Sequence, residues 1–462
     1  MSDKAARTED TDHRPRSWSL RRCLALALLL ALTLILNFAS SFAARSDTNV
    51  AWRRLSHAPA DSAHVPLDGH VDLPILVRYL YANQLGDLDL RNRTKGEVDL
   101  PRLRKGRVGG FFWSVFVPCP EDAGYGEDRN FTTPSFRVRD TLEQIDTARL
   151  LIEEYSDTFK LVSNAREWSD AMRRGKIASM LGVEGGHQLG SSLASIRVYF
   201  ALGVRYLTLT HTCNNAIADS CGAQGGTIAS QWNGLSPFGR VAVKELNRIG
   251  MMVDVSHVSP KTASDALTES TAPVIFSHSN ARGLHPVVRN IPDSILRRIG
   301  RIHSDRRFNL TEDGERGRGW GSDTGEVDRV VTAKDALVML NFSPDFISEF
   351  PDGSGTRANV SLVADHADYI AKLSGKQHLG IGSDFDGILR TPAGLEDVSK
   401  YDALFAELLR RGWSDDEILG LAGGNLLRIL NRVETVARQS RDKKPSTVIY
   451  EGRTDLKKHR GF

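Results

Sequence analysis

The chain has 462 residues, 40% of them hydrophobic, with 60 Lys and Arg against 57 Asp and Glu and a formal net charge of +3. Such a length allows two or three domains or one large barrel, and the apolar content is ordinary for a globular core. The near balance of charge singles out no polyanionic partner, and no zinc-finger, RNA-binding or solenoid signature appears, so no nucleic-acid partner is expected.

Residues 1–22 are polar, with Arg14, Arg16, Arg21 and Arg22 close to the apolar run that starts at Cys23, and read as a basic cytoplasmic tail. Residues 23–44 carry no charge. As a helix they would reach about 33 Å, enough for a hydrocarbon layer of about 30 Å. We expect a transmembrane signal-anchor helix in contact with membrane lipid. The arginines before it, against Arg45 after it, put the remainder in the lumen or outside the cell. The competing reading is a signal peptide cleaved near Ala39–Ala44, which would leave a secreted protein. Residues 45–64 read as a linker.

From 65 to 433, short apolar runs alternate with amphipathic segments. The predicted strands lie in the runs 65–73, 110–117, 177–183, 206–210, 251–255, 273–276, 336–342 and 378–382. Helices are expected over 140–155, with Leu142, Ile145, Leu150 and Ile152 as apolar positions, and near 191–202, 260–269, 361–374, 399–411 and 414–431. Another starts at Ser236, with Pro237 at its first position, and runs to Ile249. Eight strands alternating with helices imply a parallel α/β sheet, closed as a (β/α)8 barrel. An open doubly wound sheet is the alternative, weakened because no G-x-G-x-x-G follows the first strand. Residues 301–332 are rich in Arg, Asp, Glu and Gly and read as a surface insertion, and 434–462 as a polar basic tail.

Ionisable residues collect where these strands end. His70 and Asp72 close the first, Glu184 the third and His211 the fourth. His257 follows the fifth strand, His278 the sixth, and Asp384 and Asp386 the eighth. Strand ends form the active face of a (β/α)8 barrel. Glu184 terminates a buried run and is followed by two glycines, so its charge needs a strong partner, and a metal ion is the expected one. His70 and Asp72 stand two apart, which on a strand points them to one side. Imidazole and carboxylate together suit Zn²⁺. Each residue alone has an ordinary explanation as a cap, a turn or a hydrogen-bonded core group; their joint placement carries the metal reading. His187 is assigned a structural role, and Asp386 a supporting or structural one.

The long motifs Asp68-Gly-His-Val-Asp-Leu-Pro74, Gly182-Val-Glu-Gly-Gly-His187, Arg205-Tyr-Leu-Thr-Leu-Thr-His211, Gly234-Leu-Ser-Pro-Phe-Gly239, Pro273-Val-Ile-Phe-Ser-His278, Arg289-Asn290 and Gly394-Leu-Glu-Asp-Val-Ser-Lys-Tyr401 resemble those of the membrane dipeptidase family. The resemblance implies a (β/α)8 barrel with two Zn²⁺ ions. His70 and Asp72 would bind one and His257 and His278 the other, with Glu184 as the bridge. It further implies hydrolysis of L-dipeptides by a hydroxide shared between the ions. His211, Arg289 and Asp384 match substrate-contacting positions. His211 would stabilise the oxyanion, Asp384 would carry the proton to the leaving amine, and Arg289 would hold the free carboxylate. Cys119 and Cys213 match family cysteines that pair, which fits an oxidising compartment. Cys221 has no expected partner. The family's usual C-terminal lipid anchor is missing, and the family allows a homodimer for which these residues show no interface. Asn92, Asn130, Asn309 and Asn359 begin sequons and are candidate glycosylation sites; Asn341 begins another but is expected at a buried strand end. The alternatives are a related binuclear amidohydrolase acting on other small amides or lactams, and a barrel that has lost activity.

Overall fold

The computed structural model describes residues 66–120, 131–132, 135–223, 228–299, 334–348, 358–451, 453 and 456. The expected membrane segment 23–44, the insertion 301–332 and the sequons at Asn130 and Asn309 lie outside these residues. Among the described residues no helix is long and apolar enough to cross a membrane.

The chain runs β1 (Leu67–Val71), α1 (Leu73–Tyr81), α2 (Leu100–Lys105), β2 (Gly110–Phe116), α3 (Arg137–Glu154), β3 (Phe159–Leu161), α4 (Ala165–Arg173), β4 (Ile177–Glu184), α5 (Leu193–Ala201) and β5 (Val204–Thr208). It continues through α6 (Pro237–Ile249), β6 (Met252–Asp254), α7 (Pro260–Glu269), β7 (Val274–Phe276), α8 (Asp293–Leu296), β8 (Ala336–Leu340), α9 (Pro344–Ile347), α10 (Val360–Ser374), β9 (Leu379–Ile381), α11 (Tyr401–Arg410), α12 (Asp415–Leu419) and α13 (Asn425–Gln439). All strand pairs are parallel. The order β1-β2-β4-β5-β6-β7-β8-β9 closes because β9 pairs with β1. The eight predicted strands are the eight staves of the barrel. β3, which was not expected, pairs with the start of β4 and, among the described residues, with no other strand.

The alternation of a strand sets which side chains face inward. Phe112, Ala178, Met180, Tyr206, Met252, Ile275, Leu337 and Met339 form the apolar plug of the barrel. Phe111, Trp113, Val115, Leu181, Val183, Val253 and Val338 belong instead to the layer between strands and helices. Glu184 has the parity of Ala178, Met180 and Gly182, so it is the last inward residue of β4. A Cβ on Gly182 would lie 2.0 Å from the Tyr206 ring, so only glycine lets that ring lie across β4.

Several helices start where the sequence offers a cap. Ser236, Ser259 and Asn359 accept hydrogen bonds from the backbone N–H of Gly239, Thr262 and Leu362. Other expectations need correction. In α3 the buried apolar positions are Ile145, Ala148, Leu151 and Ile152, while Leu142 and Leu150 are exposed. The helix expected over 414–431 is two, separated by a wide turn at Gly420–Gly424, after which the Asn425 amide donates to the carbonyls of Lys376 and Leu379. α13 then continues past the boundary expected at 433, because Val433 is still buried against the barrel plug and Val436 packs beside it. Tyr450, in the expected tail, is buried against the edge of Phe238.

Candidate metal centre

Glu184 projects from β4 among three imidazoles. Its Oε1 lies 3.1 Å from His257 Nε2 and 3.2 Å from His278 Nε2, and its Oε2 lies 3.5 Å from His70 Nε2. His70 Nε2 is also 3.2 Å from Asp72 Oδ2 and 3.8 Å from Asp384 Oδ1. His211 stands further out, 3.9 Å from Glu184 Oε1, with the Phe116 ring against it. The expected residues of six strand ends therefore meet in one pocket.

Not all arrive as expected. β1 ends at Val71, so strand alternation does not place Asp72; its N–H donates to Phe385 O and it sits at the start of α1. His257 and Asp384 have positive φ values, +62° and +67°. Non-glycine residues in that region carry strain that the surrounding structure must impose. Here Asp384 is held by its N–H to His70 O and by the Asn341 amide, which donates to Asp384 Oδ2 at 2.9 Å.

Burial dominates the electrostatics. It pushes the His257 and His278 imidazoles well below the usual range. It also acts on His70, where Glu184 and Asp72 overcome it and hold the imidazole well above that range. Burial would raise the Glu184 carboxyl, but His70, His211 and the other imidazoles hold it well below the usual value. Asp384 is pushed well above, first by burial, with Asp72 and Glu184 adding to it.

The donor set fits a divalent cation. His257 Nε2 and His278 Nε2 lie 3.0 Å apart and face one carboxylate oxygen. Converging lone pairs in a dry pocket need a shared positive charge between them. Buried Asp72 Oδ1 and His70 Nε2 have no hydrogen-bond partner. The sets His70, Glu184, His278; Glu184, His211, His257; and His70, Asp72, Asp384 each bring three ligand atoms within 4.8 Å of one another. His211 and Asp384, expected to act in catalysis and on substrate and not to hold metal, thus stand close to the ligand atoms.

Arg289 is buried, with one terminal nitrogen donating to Ser279 Oγ at 2.9 Å and the other to His278 O at 2.8 Å. Cys119 and Cys213 form a disulfide, tying the segment after β2 to that after β5. His187 is buried beneath them with its Nε2 2.7 Å from Val117 O. Cys221 is a buried free thiol. Asp386 accepts from Glu97 N–H and donates its own N–H to Glu97 Oε2, a link between two loops. Asn92 is exposed, Asn359 caps α10, and Asn341 is buried. Sequence reasoning missed the roles of Asn341 and of Tyr206, whose hydroxyl lies 2.8 Å from His70 Nδ1.

A parallel barrel with histidine and carboxylate groups converging at its strand ends is the framework of a metal-dependent hydrolase. The model of the membrane dipeptidase family, peptidase family M19, matches residues 60–304 and 326–444, and the chain belongs to that family of metallodipeptidases. Among solved structures, the chain is 26% identical to a metallo peptidase from Rhodobacter sphaeroides liganded with a phosphinate mimic of the dipeptide L-Ala-D-Ala, with TM-score 0.62, covering 80% of this chain and 99% of that one. It is 25% identical to a metallo peptidase described as dipeptidase AC of family M19, with TM-score 0.62, covering 80% and 98%. An amidohydrolase from Pseudomonas aeruginosa, 22% identical with TM-score 0.57 over 81% and 97%, shares the fold.

Proposed function

We propose that the chain hydrolyses L-dipeptides with two zinc ions, one held by His70 and Asp72, the other by His257 and His278, and both by Glu184. The observation that carries this reading is the Glu184 carboxylate, whose oxygens face separate imidazole groups. Mixed nitrogen and oxygen donors suit Zn²⁺. When bound, the ions would polarise the peptide carbonyl and make water a stronger acid.

The protein supplies the rest. His211, at the rim against Phe116, donates to the oxygen that gains charge as the carbonyl becomes tetrahedral, an effect of about 2.7–4 kcal/mol where single donors of this kind have been removed. Asp384 takes a proton from the attacking water and delivers it to the leaving amine; a buried carboxyl with a raised pKa suits that exchange. Arg289, fixed by Ser279 and His278, has its Nε–H still unpaired and holds the free carboxylate of the dipeptide.

A second reading concerns stereochemistry. The ligand of the Rhodobacter protein mimics a dipeptide with a D residue in second place, so L-Ala-D-Ala is a candidate substrate beside all-L dipeptides. The test is hydrolysis of Leu-Leu, L-Ala-D-Ala and Leu-Leu-Leu before and after chelation. Cleavage of dipeptides alone, abolished by chelator and restored by zinc, is expected; cleavage that survives complete metal removal would contradict the proposal. We also infer from the uncharged run 23–44 that the barrel is anchored outside the cytoplasm, which N-terminal sequencing of the mature protein tests against a cleaved leader.

A further inference from the structure

We propose that Asp254 and Ser277 act as a relay that fixes the tautomer of His278, making Asp254 a positioning residue of the metal centre although it touches neither ion nor substrate. The proposal rests on the reading of His278 as a metal ligand. Asp254 ends β6 and is fully buried. Its Oδ1 accepts from the backbone N–H of Ser277 at 2.9 Å and of Ser256 at 3.1 Å. Its Oδ2 accepts from the hydroxyls of Ser277 and Thr208, both at 2.6 Å. Four donors fill the acceptor sites of a carboxylate.

The Ser277 hydroxyl has one proton, and the short charge-assisted bond commits it to Asp254. Ser277 Oγ also lies 2.8 Å from His278 Nδ1, so toward that atom it can only accept. His278 must then carry its proton on Nδ1, leaving the Nε2 lone pair aimed at Glu184 Oε1 and at any cation beside it. The Ser256 hydroxyl accepts from the His278 backbone N–H at 3.1 Å and pairs with Ser279 Oγ, the oxygen that accepts from Arg289. One buried carboxylate thus organises a serine network leading to both a ligand histidine and the carboxylate-binding arginine. His70 differs, because its Nδ1 meets the Tyr206 hydroxyl, which can either donate or accept, so no tautomer is imposed there by hydrogen bonding alone.

Three measurements on the purified protein test the relay. In wild-type protein freed of metal, ¹⁵N-resolved imidazole spectra should place the His278 proton on Nδ1 at neutral pH; an Nε2–H tautomer would overturn the proposal whatever any variant does. Calorimetric titration with Co²⁺ should show two sites in the wild type, and Ser277→Ala should weaken one of them about 10–100-fold, the scale expected for loss of an outer-sphere partner. Asp254→Asn is read the same way if Ser277→Ala does not fold. Wild-type Co²⁺ affinity in a folded variant would overturn the relay, whereas a wild type that takes up no Co²⁺ would overturn the metal reading beneath it.

Discussion

The two sides of Glu184 differ more than their shared histidines suggest. On one side His70 faces Asp72, Asp384 and Glu184 Oε2, and Glu184 with Asp72 outweighs the cost of burying a charged imidazole. On the other side His257 and His278 share Glu184 Oε1, are driven toward the neutral form first by burial, and lie in the field of Arg289. One side is a carboxylate-rich pocket around an imidazole, and the other an imidazole pair beside a cationic side chain. On the proposed reading this is a division of labour: the acidic side, with Asp384 3.8 Å from His70 Nε2, would handle the proton, and the side with Arg289 would receive an anionic substrate terminus.

The strongest way to break this comparison is Glu184→Gln, which removes the charge common to both sides. Neither cation should be retained and dipeptide hydrolysis should fall to background, as measured by metal analysis and turnover. Asp384→Asn should sharpen it instead. Metal content should stay close to wild type while kcat falls by about 10²–10⁴-fold, the scale of a lost general acid–base. Tyr206→Phe removes the hydroxyl that lies 2.8 Å from His70 Nδ1 and should cost about 10–100-fold in metal affinity or activity. Its effect should fall on the acidic side, leaving the spectrum of the His257–His278 side unchanged.

A separate effect, on stability and not on turnover, concerns His187, beneath the disulfide. Burial lowers its pKa from 6.5 to about 3. Between those values the unfolded chain binds the proton that the folded chain refuses. Stability is therefore fully present above pH 6.5 and declines as pH falls toward 3, by about 1.4 kcal/mol for each pH unit. Urea unfolding at neutral and mildly acidic pH should show a steeper loss in the wild type than in His187→Gln.

The sequence made the barrel legible because each stave is a short apolar run that stops at a polar residue. Glu184, His257 and His278 were legible for the same reason. Asp72 reached the pocket by another route, through a helix start and a backbone bond to Phe385, which no periodicity records. Tyr206 reads as one more apolar position of its strand, and its hydroxyl meets a histidine 136 positions away. Asn341 reads as a sequon or a buried strand end; only the closed barrel brings its amide to Asp384. β3 is three residues long with one exposed side chain, too short and too mixed to show a period.

The central claim is that Glu184 joins two cation sites. A crystal structure of the zinc-loaded protein, with anomalous scattering recorded on both sides of the zinc edge, tests it most directly. Two anomalous peaks per chain are expected, one bounded by His70, Asp72 and Glu184 and the other by Glu184, His257 and His278. An active crystal with a single peak, or with zinc bound away from Glu184, would contradict it.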